Sequence, residues 1–258
     1  MNRLEDILRM KRAEVARLQA HQDELRRAGL DRTDFRGFAS ALKRESGNLS
    51  LIAEIKKASP SAGVIVESFD PVAIAKSYAR AGAKAISVLT DEQFFQGHLG
   101  YLADVRRVVG VPLLRKDFII DAVQIAESAA AGADAILLIV AALAQEDLLR
   151  FIELAAVFQL ETVVEVHTLD ELERALDADA QIVGINNRDL ATFEVDLGVT
   201  ERLSEEVPDE VILISESGLR TRADLERIKK CGVDAVLMGE ALMRGGSGAI
   251  ENLKPRGD

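Results

Sequence analysis

Tryptophan is absent from this sequence of 258 residues, aromatic residues make up only 4% of it, and the only cysteine is Cys231. The scarcity of aromatic side chains disfavours surfaces that stack on sugars or unpaired bases. A single cysteine excludes an intramolecular disulfide, and its apolar surroundings predict a buried structural thiol. The longest uncharged apolar run, residues 135–144, is too short to cross a bilayer, and the N-terminus is too charged for a secretory signal. We therefore expect a cytoplasmic protein with no membrane partner.

Basic residues are in the minority. The sequence has 32 Lys and Arg against 43 Asp and Glu, which gives a net charge of −11. Nucleic acids and anionic membranes require a basic surface, so we expect neither as the main partner. The negative net charge does not exclude a small anionic substrate, because a few lysine and arginine side chains can determine the charge of one pocket. The 3 histidines form no cluster with the cysteine, so we expect no metal site.

From Leu51 onward, short runs rich in Ile, Val and Leu alternate with amphipathic segments, as is typical of buried parallel strands with helices between them. Gly82, Gly132 and Gly232 each end a helical segment and precede such a run, at spacings of 50 and 100 residues. Each period of 50 residues holds two runs, so four periods give eight strands. The sequence therefore predicts an α/β fold, a (β/α)8 TIM barrel. The alternative is a doubly wound open sheet, but the turn after the first run lacks the G-x-G-x-x-G pattern of that fold.

The first part of the chain has a different pattern. Apolar residues recur at helical spacing from Leu4 to Leu18, and a second short helix is expected over residues 34–42, followed by a polar stretch. We predict that residues 1–48 form a helical extension packed on the barrel mouth and that residues 49–258 form the barrel, within a single domain. We expect a monomer.

Three later helices carry recognisable start signals. Asp70 precedes a proline in the first helical turn. The segments Thr168–Glu171 and Thr221–Asp224 have the spacing of capping boxes.

Polar side chains end five of the predicted strands. Active-site groups of a barrel lie at the C-terminal ends of its strands, so these side chains should meet at one rim. They are Glu54 with Lys56, Lys116 with Asp117, Glu165 with His167, Asn186 with Arg188, and Glu216 with Ser217. Any one of them alone could be the solvated start of a loop, but the set indicates acid–base chemistry. We expect neighbouring cations to lower the pKa of the lysines and burial to raise the pKa of the glutamates. A weaker alternative places Asp117, Glu165 and His167 around a divalent ion.

The loops after the seventh and eighth strands are candidates for binding phosphate. Gly218 and Gly239 let backbone N–H groups approach an anion, and a short helix follows at Glu240. The carboxylate of Glu240 must then point away from the anion. Ser59, after the first strand, could add a hydroxyl from a lid. Alternatively, these two glycines only form turns and have no role in binding an anion.

Seven motifs occur in this order along the chain: IAEIKKASPSAG, LTDEQFFQG, LLRKDFIID, VVEVH, GINNRDL, ISESGL and LMGEALMR. Together they closely resemble the indole-3-glycerol phosphate synthases of tryptophan biosynthesis, over nearly the whole chain. The resemblance implies a phosphorylated small-molecule substrate, 1-(2-carboxyphenylamino)-1-deoxyribulose 5-phosphate. It also implies ring closure with loss of CO₂ and water, without a cofactor or metal.

The resemblance also implies roles for individual residues. Lys116 resembles the general acid of ring closure, and Glu165 the general base of dehydration. Lys56 is similar to the lysine that holds the substrate carboxylate and is a candidate second acid, and Glu54 to the carboxylate that orients these groups. The remaining positions bind substrate: Asn186, Arg188 and Ser217 by polar contacts, Phe95, Phe118 and Leu137 around the anthranilate ring, and Ser59, Gly218, Gly239 and Glu240 at the phosphate. Glu240 departs from the pattern, because a small hydroxyl residue is common there.

Two other functions remain open at this point. A Schiff-base aldolase could use Lys56 or Lys116 as its nucleophile. A barrel that binds a phosphate ligand without turnover is the non-enzymatic alternative, although it would not need the proton-transfer residues.

Overall fold

The computed structural model describes residues 3–43, 48–189 and 192–245. Eight parallel strands form a closed barrel, in which each strand pairs with the next along the chain and the last pairs with the first. They are β1 (Ser50–Ile55), β2 (Ala85–Leu89), β3 (Leu113–Lys116), β4 (Ala135–Ile139), β5 (Glu161–Val166), β6 (Ile182–Asn186), β7 (Ile212–Glu216) and β8 (Ala235–Met238). The predicted barrel is confirmed, and the open-sheet alternative is wrong. A small antiparallel hairpin, Ala58–Ser59 with Gly63–Val64, follows β1.

Helices precede the barrel and connect its strands. Those before β1 are α1 (Arg3–Leu18), α2 (Gln22–Asp31) and α3 (Phe38–Leu42). The later ones are α4 (Pro71–Arg80), α5 (Glu92–Phe95), α6 (Gly100–Arg106), α7 (Ala122–Ala131), α8 (Gln145–Val157), α9 (Leu169–Asp177), α10 (Gly198–Leu203), α11 (Arg222–Lys229) and α12 (Glu240–Gly245). Short 3₁₀ turns cover Gln19–His21, Val140–Ala142 and Ser204–Glu206.

Alternation along the strands divides the core into two layers. Ile52, Leu137 and Ile214 belong to a cluster inside the barrel. Other strand residues, such as Ile55, which follows Glu54, and Val166, which follows Glu165, belong to a larger cluster between strands and helices. Because successive side chains of a strand point to opposite faces, Glu54 and Glu165 are directed inward at the C-terminal end of the barrel.

The helices before β1 contact different parts of the barrel. Lys11 of α1 lies 3.0 Å from Asp91 and 2.8 Å from Asp117, which follow β2 and β3 at the mouth. Helix α2 packs along α7. The first backbone N–H groups of α3 donate to Glu161, which begins β5 at the opposite end. The division at residue 48 stays a prediction, and residues 44–47 of the polar stretch and 246–258 of the predicted barrel lie outside the described residues.

The capping predictions have mixed outcomes. Asp70 accepts from the N–H groups of Val72 and Ala73, and Thr221 forms a complete capping box with Asp224. At α9, Thr168 accepts from the N–H of Glu171, but the side chain of Glu171 accepts from the N–H of His167 instead of completing the box.

The single cysteine is only partly buried. Cys231 lies in the turn after α11 and is of intermediate exposure, so the predicted burial of this thiol is only partial. Within the described ranges, the structure has no helix long and apolar enough to cross a bilayer.

Candidate active site

A cavity of about 500 Å³ opens at the C-terminal ends of the barrel strands. Its volume is in the usual range for a small-molecule site. Every residue predicted from the sequence to be catalytic or to bind substrate or phosphate lines this cavity. The structure therefore brings the predicted residues together, while their individual roles stay predictions.

Lys116, at the end of β3, lies between two carboxylates. Its Nζ atom is 2.8 Å from Oε2 of Glu165 and 2.5 Å from Oε2 of Glu216. Burial lowers the pKa of Lys116, but the charges of Glu165, Glu216 and Glu54 outweigh it, so that the pKa lies above its ordinary value. The expectation of a lowered lysine pKa is wrong here, because the near neighbours of Lys116 are anions. Lys116 is a protonated ammonium group over the neutral pH range.

The two carboxylates that share Lys116 differ in protonation. Burial raises the pKa of Glu165, but Lys116, His167 and a hydrogen bond from Asn186 shift the pKa below its ordinary value. Burial, followed by the charges of Glu165 and Glu54, raises the pKa of Glu216 to about 7. One lysine cannot neutralise two buried carboxylates, so the second retains a proton near neutral pH. The predicted rise therefore occurs at Glu216 and not at Glu165.

Glu216 is the site residue whose importance the sequence reasoning missed, since the assigned roles at that strand end went to Ser217 and Gly218. Its Oε1 atom is buried and has no hydrogen-bond partner among the described residues. The side chain packs against Gly184 of β6, where any Cβ atom would overlap Oε1. Ile214 faces the barrel interior, so alternation along β7 was the signal that also places Glu216 inside the mouth.

Glu54 and Lys56 form a second ion pair at the end of β1. Nζ of Lys56 lies 2.5 Å from Oε1 of Glu54, and both side chains are largely buried. The Glu54 carboxylate packs against Gly239 so closely that a Cβ atom at residue 239 would overlap it. Gly239 is therefore required for the packing of this pair, whatever it contributes to anion binding.

Asn186 is the last residue of β6, and Arg188 lies two residues further along the chain, on the rim. The backbone N–H of Arg188 donates to Oδ1 of Asn186 at 3.0 Å, and Nη1 donates to the carbonyl of Phe193 at 3.1 Å. In the described parts of the chain, Arg188 has no carboxylate within ion-pair distance. Its guanidinium group is therefore available for an anionic ligand.

The apolar part of the cavity contains Phe95, Phe118 and Leu137. The two phenyl rings are tilted by 36°, with their centroids 6.2 Å apart. This arrangement suits a flat aromatic group, which would bury apolar area against these side chains.

The loop after β7 makes a sharp turn at the rim. Ser217 has a φ of 67° and Gly218 a φ of 82°, and Val195 lies so close to Gly218 that a Cβ atom would overlap it. After the neighbouring strand β8, Oε1 of Glu240 accepts from Nε of Arg244 at 3.1 Å, and both residues line the cavity. The direction of the Glu240 carboxylate relative to a bound anion stays a prediction. The hydroxyl of Ser59 is nearly buried and accepts from the N–H of Ala62 at 3.2 Å.

The arrangement does not match the metal alternative. Asp117 binds Lys11, Arg115 and Thr90 instead of joining Glu165 and His167. Among residues 3–43, 48–189 and 192–245, no group of three or more His, Cys, Asp or Glu side chains could hold a metal ion.

Comparisons with known proteins agree with this site. A family model described as indole-3-glycerol phosphate synthase matches residues 4–253. The indole-3-glycerol phosphate synthase of Acetivibrio thermocellus is 47% identical over 248 residues, covering 93% of this chain and 94% of that protein. The enzyme of the same name from Chlorobium phaeovibrioides is 50% identical over 244 residues, covering 94% of this chain and 95% of that protein.

Solved structures share the fold at much lower identity. One described as "Native KDPGal structure" has 15% identity and a TM-score of 0.57, covering 82% of this chain and 96% of that one. A designed cube-shaped protein cage has 16% identity and a TM-score of 0.58, covering 80% of this chain and 71% of that one. These two similarities concern the barrel alone. The family model and the curated relatives extend over nearly the whole sequence, and the chain therefore belongs to the indole-3-glycerol phosphate synthase family, whose members are carboxy-lyases of tryptophan biosynthesis.

Proposed function

We propose that this cavity converts 1-(2-carboxyphenylamino)-1-deoxyribulose 5-phosphate into indole-3-glycerol phosphate, CO₂ and water, with Lys116 as the acid and Glu165 as the base. The observation that carries the assignment is the protonated Lys116 held between Glu165 and Glu216 in the cavity. The reaction needs only proton transfers, so the chain's own side chains suffice for it.

Ring closure joins the aromatic carbon that bears the carboxylate to the ketone carbon of the substrate. The ketone oxygen must gain a proton as the new bond forms, and Lys116 supplies it from Nζ. The neutral amine that remains lies 2.5 Å from Glu216. Because the pKa of Glu216 is raised to about 7, its carboxyl can return a proton to Lys116 near neutral pH.

Two losses complete the reaction. CO₂ leaves from the same ring carbon, and its bonding electrons restore the aromatic ring. The new hydroxyl group then leaves as water, with a proton from Lys56 or Lys116. Glu165 removes the proton from the carbon next to nitrogen, a role supported by the lowered pKa that keeps it ionised.

The remaining side chains bind the substrate. Lys56 attracts its carboxylate while Glu54 fixes the direction of the lysine. Asn186, Arg188 and Ser217 hold polar groups, and Phe95, Phe118 and Leu137 surround the aromatic ring. Ser59, Gly218, Gly239 and Glu240 line the side of the cavity assigned to the phosphate, where backbone N–H groups supply the donors. The phosphate group is remote from the bonds that react, and the free energy of binding it can be used to orient the substrate for ring closure.

The aldolase alternative is disfavoured by the protonation of Lys116. A Schiff base requires a free amine, whereas Lys116 contacts two carboxylates and has a raised pKa. A cytoplasmic location and a monomeric state stay predictions from the sequence.

A single-turnover assay tests the proposed reaction. The carboxyphenylamino-deoxyribulose phosphate is mixed with the protein in the presence of EDTA, and the fluorescence of the indole product is followed. The protein contains no tryptophan, so its own indole fluorescence does not contribute to the signal. We expect the wild type to form product, and Lys116→Ala to reduce kcat by roughly 10²–10⁴-fold with an unchanged circular dichroism spectrum. Lys76→Ala is the control, because this lysine is exposed on α4.

Each failure has a separate meaning. Product at a near-normal rate from Lys116→Ala would exclude Lys116 as the acid. Absence of product from the wild type, with phosphate binding detected by calorimetry, would leave a phosphate-binding barrel. Trapping of a substrate imine by borohydride would favour the aldolase.

A further inference from the structure

His167 lies directly behind Glu165, with its ring between two carboxylates. Its Nδ1 atom is 3.1 Å from Oε2 of Glu171, and its Nε2 atom is 3.5 Å from Oε1 of Glu165. The backbone N–H of His167 also donates to Oε2 of Glu171, at 2.7 Å. The side chain of His167 is 12% exposed and that of Glu165 3% exposed. The three side chains therefore form a line that runs from α9 to the cavity.

The contacts determine which nitrogen carries hydrogen. Glu171 is an acceptor on the Nδ1 side, so Nδ1 carries the proton. The Nε2 atom faces Glu165, is buried, and has no hydrogen-bond partner in the described ranges. A neutral ring would turn a lone pair toward an anionic oxygen there, whereas an imidazolium ring turns an N–H toward it. The geometry favours the imidazolium form.

Three carboxyl groups favour the charged form of His167: Glu171 from α9, Glu165 near the end of β5 and, to the extent that it is ionised, Glu216 from β7. The Lys116 ammonium group, which is bound to Glu165, is a nearby cation and opposes them. Burial lowers the pKa of His167, but these carboxylates outweigh it and the pKa lies above its ordinary value. Lys116 contacts the other oxygen of this carboxylate, Oε2, at 2.8 Å, and Asn186 also donates a hydrogen bond to Glu165. Glu165 is thus held from one side by the cation that acts as the acid, and from the other by His167.

We propose that His167 is a positioning residue of the reaction, anchored by Glu171, which keeps the Glu165 carboxylate ionised and directed at the substrate after Lys116 has given up its proton. The inference rests on the base role proposed above for Glu165. His167 is absent from the cavity lining among the described residues, so it is placed to act through Glu165 and not directly on the substrate.

The sequence of proton transfers gives the reason for a second cation. While Lys116 is charged, it stabilises the Glu165 carboxylate at 2.8 Å. Once Lys116 has donated its proton, that attraction is lost, and burial alone would drive Glu165 to take up a proton too early. The imidazolium charge on the opposite side persists through this interval. It keeps Glu165 available for the later removal of a proton from carbon.

The pH dependence of kcat tests the proposal. His167→Asn retains a side-chain N–H for Glu171 but removes Nε2 and the charge. We expect the acidic limb of the kcat profile to move to higher pH by about one unit, because an opposite charge near a carboxylate lowers its pKa by roughly that much or more. At pH values on this limb kcat then falls roughly tenfold, while KM changes less than about twofold.

Two further variants separate the contacts of the ring. His167→Gln places an amide N–H near the former Nε2 position and should recover part of the lost activity. Glu171→Gln should shift the profile in the same direction as His167→Asn, but less. NMR titration of the wild type should place the pKa of His167 above the ordinary histidine value of about 6.5, and Glu171→Gln should lower it. His21→Asn is the matched control, since His21 pairs with Glu24 at 3.7 Å in solvent.

Several results would overturn the proposal. One is a His167→Asn profile with unchanged limbs in a folded enzyme, and another is a loss of kcat that is equal at every pH. A third is a Glu171→Gln enzyme with the wild-type pKa of His167. Glu165→Gln distinguishes the two proposals: if it turns over normally, the base role of Glu165 fails as well. If it is inactive and His167→Asn is normal, only the inference about His167 fails.

Discussion

Asp134 and Glu216 are two carboxylates with almost wholly buried side chains at opposite ends of the barrel. Asp134 precedes β4 at the closed end, and its oxygens accept from Arg32, Arg106 and the backbone N–H groups of Arg36 and Leu113, at 2.7–3.0 Å. Glu216 ends β7 at the mouth, receives one lysine, and has one oxygen without a partner in the described residues. Asp134 thus accepts hydrogen bonds at both of its carboxylate oxygens and is saturated in this sense, whereas Glu216 accepts one at only one of its oxygens among the described residues.

The difference separates a structural charge from a chemical one. A saturated buried carboxylate holds its partners in place, and removing it leaves them without their counter-charge. A carboxylate short of donors has a pKa near neutrality and can exchange a proton at little cost. Both side chains are buried, so what distinguishes their functions is the surroundings of each carboxyl group: two arginines and two backbone N–H groups at Asp134, and one lysine with two neighbouring glutamates at Glu216.

The largest effect on stability is expected from Asp134→Ala. The substitution leaves Arg32 and Arg106 without their buried counter-ion, and the N–H of Leu113 without an acceptor. We expect the free energy of unfolding to fall by about 3–5 kcal/mol, with kcat unchanged wherever the variant is folded. Urea unfolding followed by far-UV circular dichroism measures the free energy of unfolding, and the fluorescence assay measures kcat.

Asp104→Ala provides the control for this variant. Asp104 pairs with Arg107 on the exposed side of α6, and such a pair contributes about 1 kcal/mol at most. If Asp134→Ala proved no more costly than Asp104→Ala, the distinction between the two ends would lose its basis.

A pH-dependent effect is expected from Glu216→Gln. Burial and the charges of Glu165 and Glu54 raise the pKa of Glu216 to about 7 from its ordinary value of 4.5, so the native state binds this proton more tightly than the unfolded chain does. The stability that Glu216 contributes is therefore complete below about pH 4.5 and is lost as the pH rises through 7. Relative to Glu216→Gln, the wild type should lose about 3 kcal/mol of unfolding free energy across this interval.

Urea unfolding of both proteins at several pH values measures this difference. The Gln variant should also lose kcat near neutral pH, because an amide cannot return a proton to Lys116. A constant stability difference across the interval would show that Glu216 does not titrate there.

The barrel was predictable because its repeats build the same local structure each time. Asp134 and Asp234 stand at equivalent places in the AGADAI and CGVDAV segments. Each accepts, at 2.9 Å, from the backbone N–H of the residue that opens or nearly opens the preceding strand, Leu113 or Leu213. A repeat in sequence thus corresponds to a repeated hydrogen bond, and local pattern is enough to count the strands.

The sequence allowed us to predict which residues come together in the site. It was a poorer guide to their protonation states. Polar residues at the ends of predicted strands identified Lys116 and Glu165, but their protonation depends on neighbours from other strands, which a local pattern does not reveal. Lys11 shows the same limit: in the helical pattern of α1 it counts as a polar residue, yet Asp91 and Asp117 bury it. Such pairings form only when distant segments fold together.

The smallest of these effects is expected from Arg188→Ala, which tests the mouth from the side of the ligand. Unlike Arg32 and Arg106 at the closed end, Arg188 has no acidic partner among the described residues, and its contacts are the carbonyl of Phe193 and a backbone bond to Asn186. Its removal should therefore leave stability nearly unchanged and raise KM by roughly tenfold, the equivalent of one charge-assisted hydrogen bond to the substrate. Arg188→Lys keeps the positive charge but loses the planar guanidinium group, so its KM should lie between that of the wild type and that of Arg188→Ala. Steady-state kinetics with the carboxyphenylamino-deoxyribulose phosphate gives both constants. An unchanged KM in Arg188→Ala would show that this guanidinium does not bind the substrate, and that an unpaired cation at the rim is not by itself a sign of ligand binding.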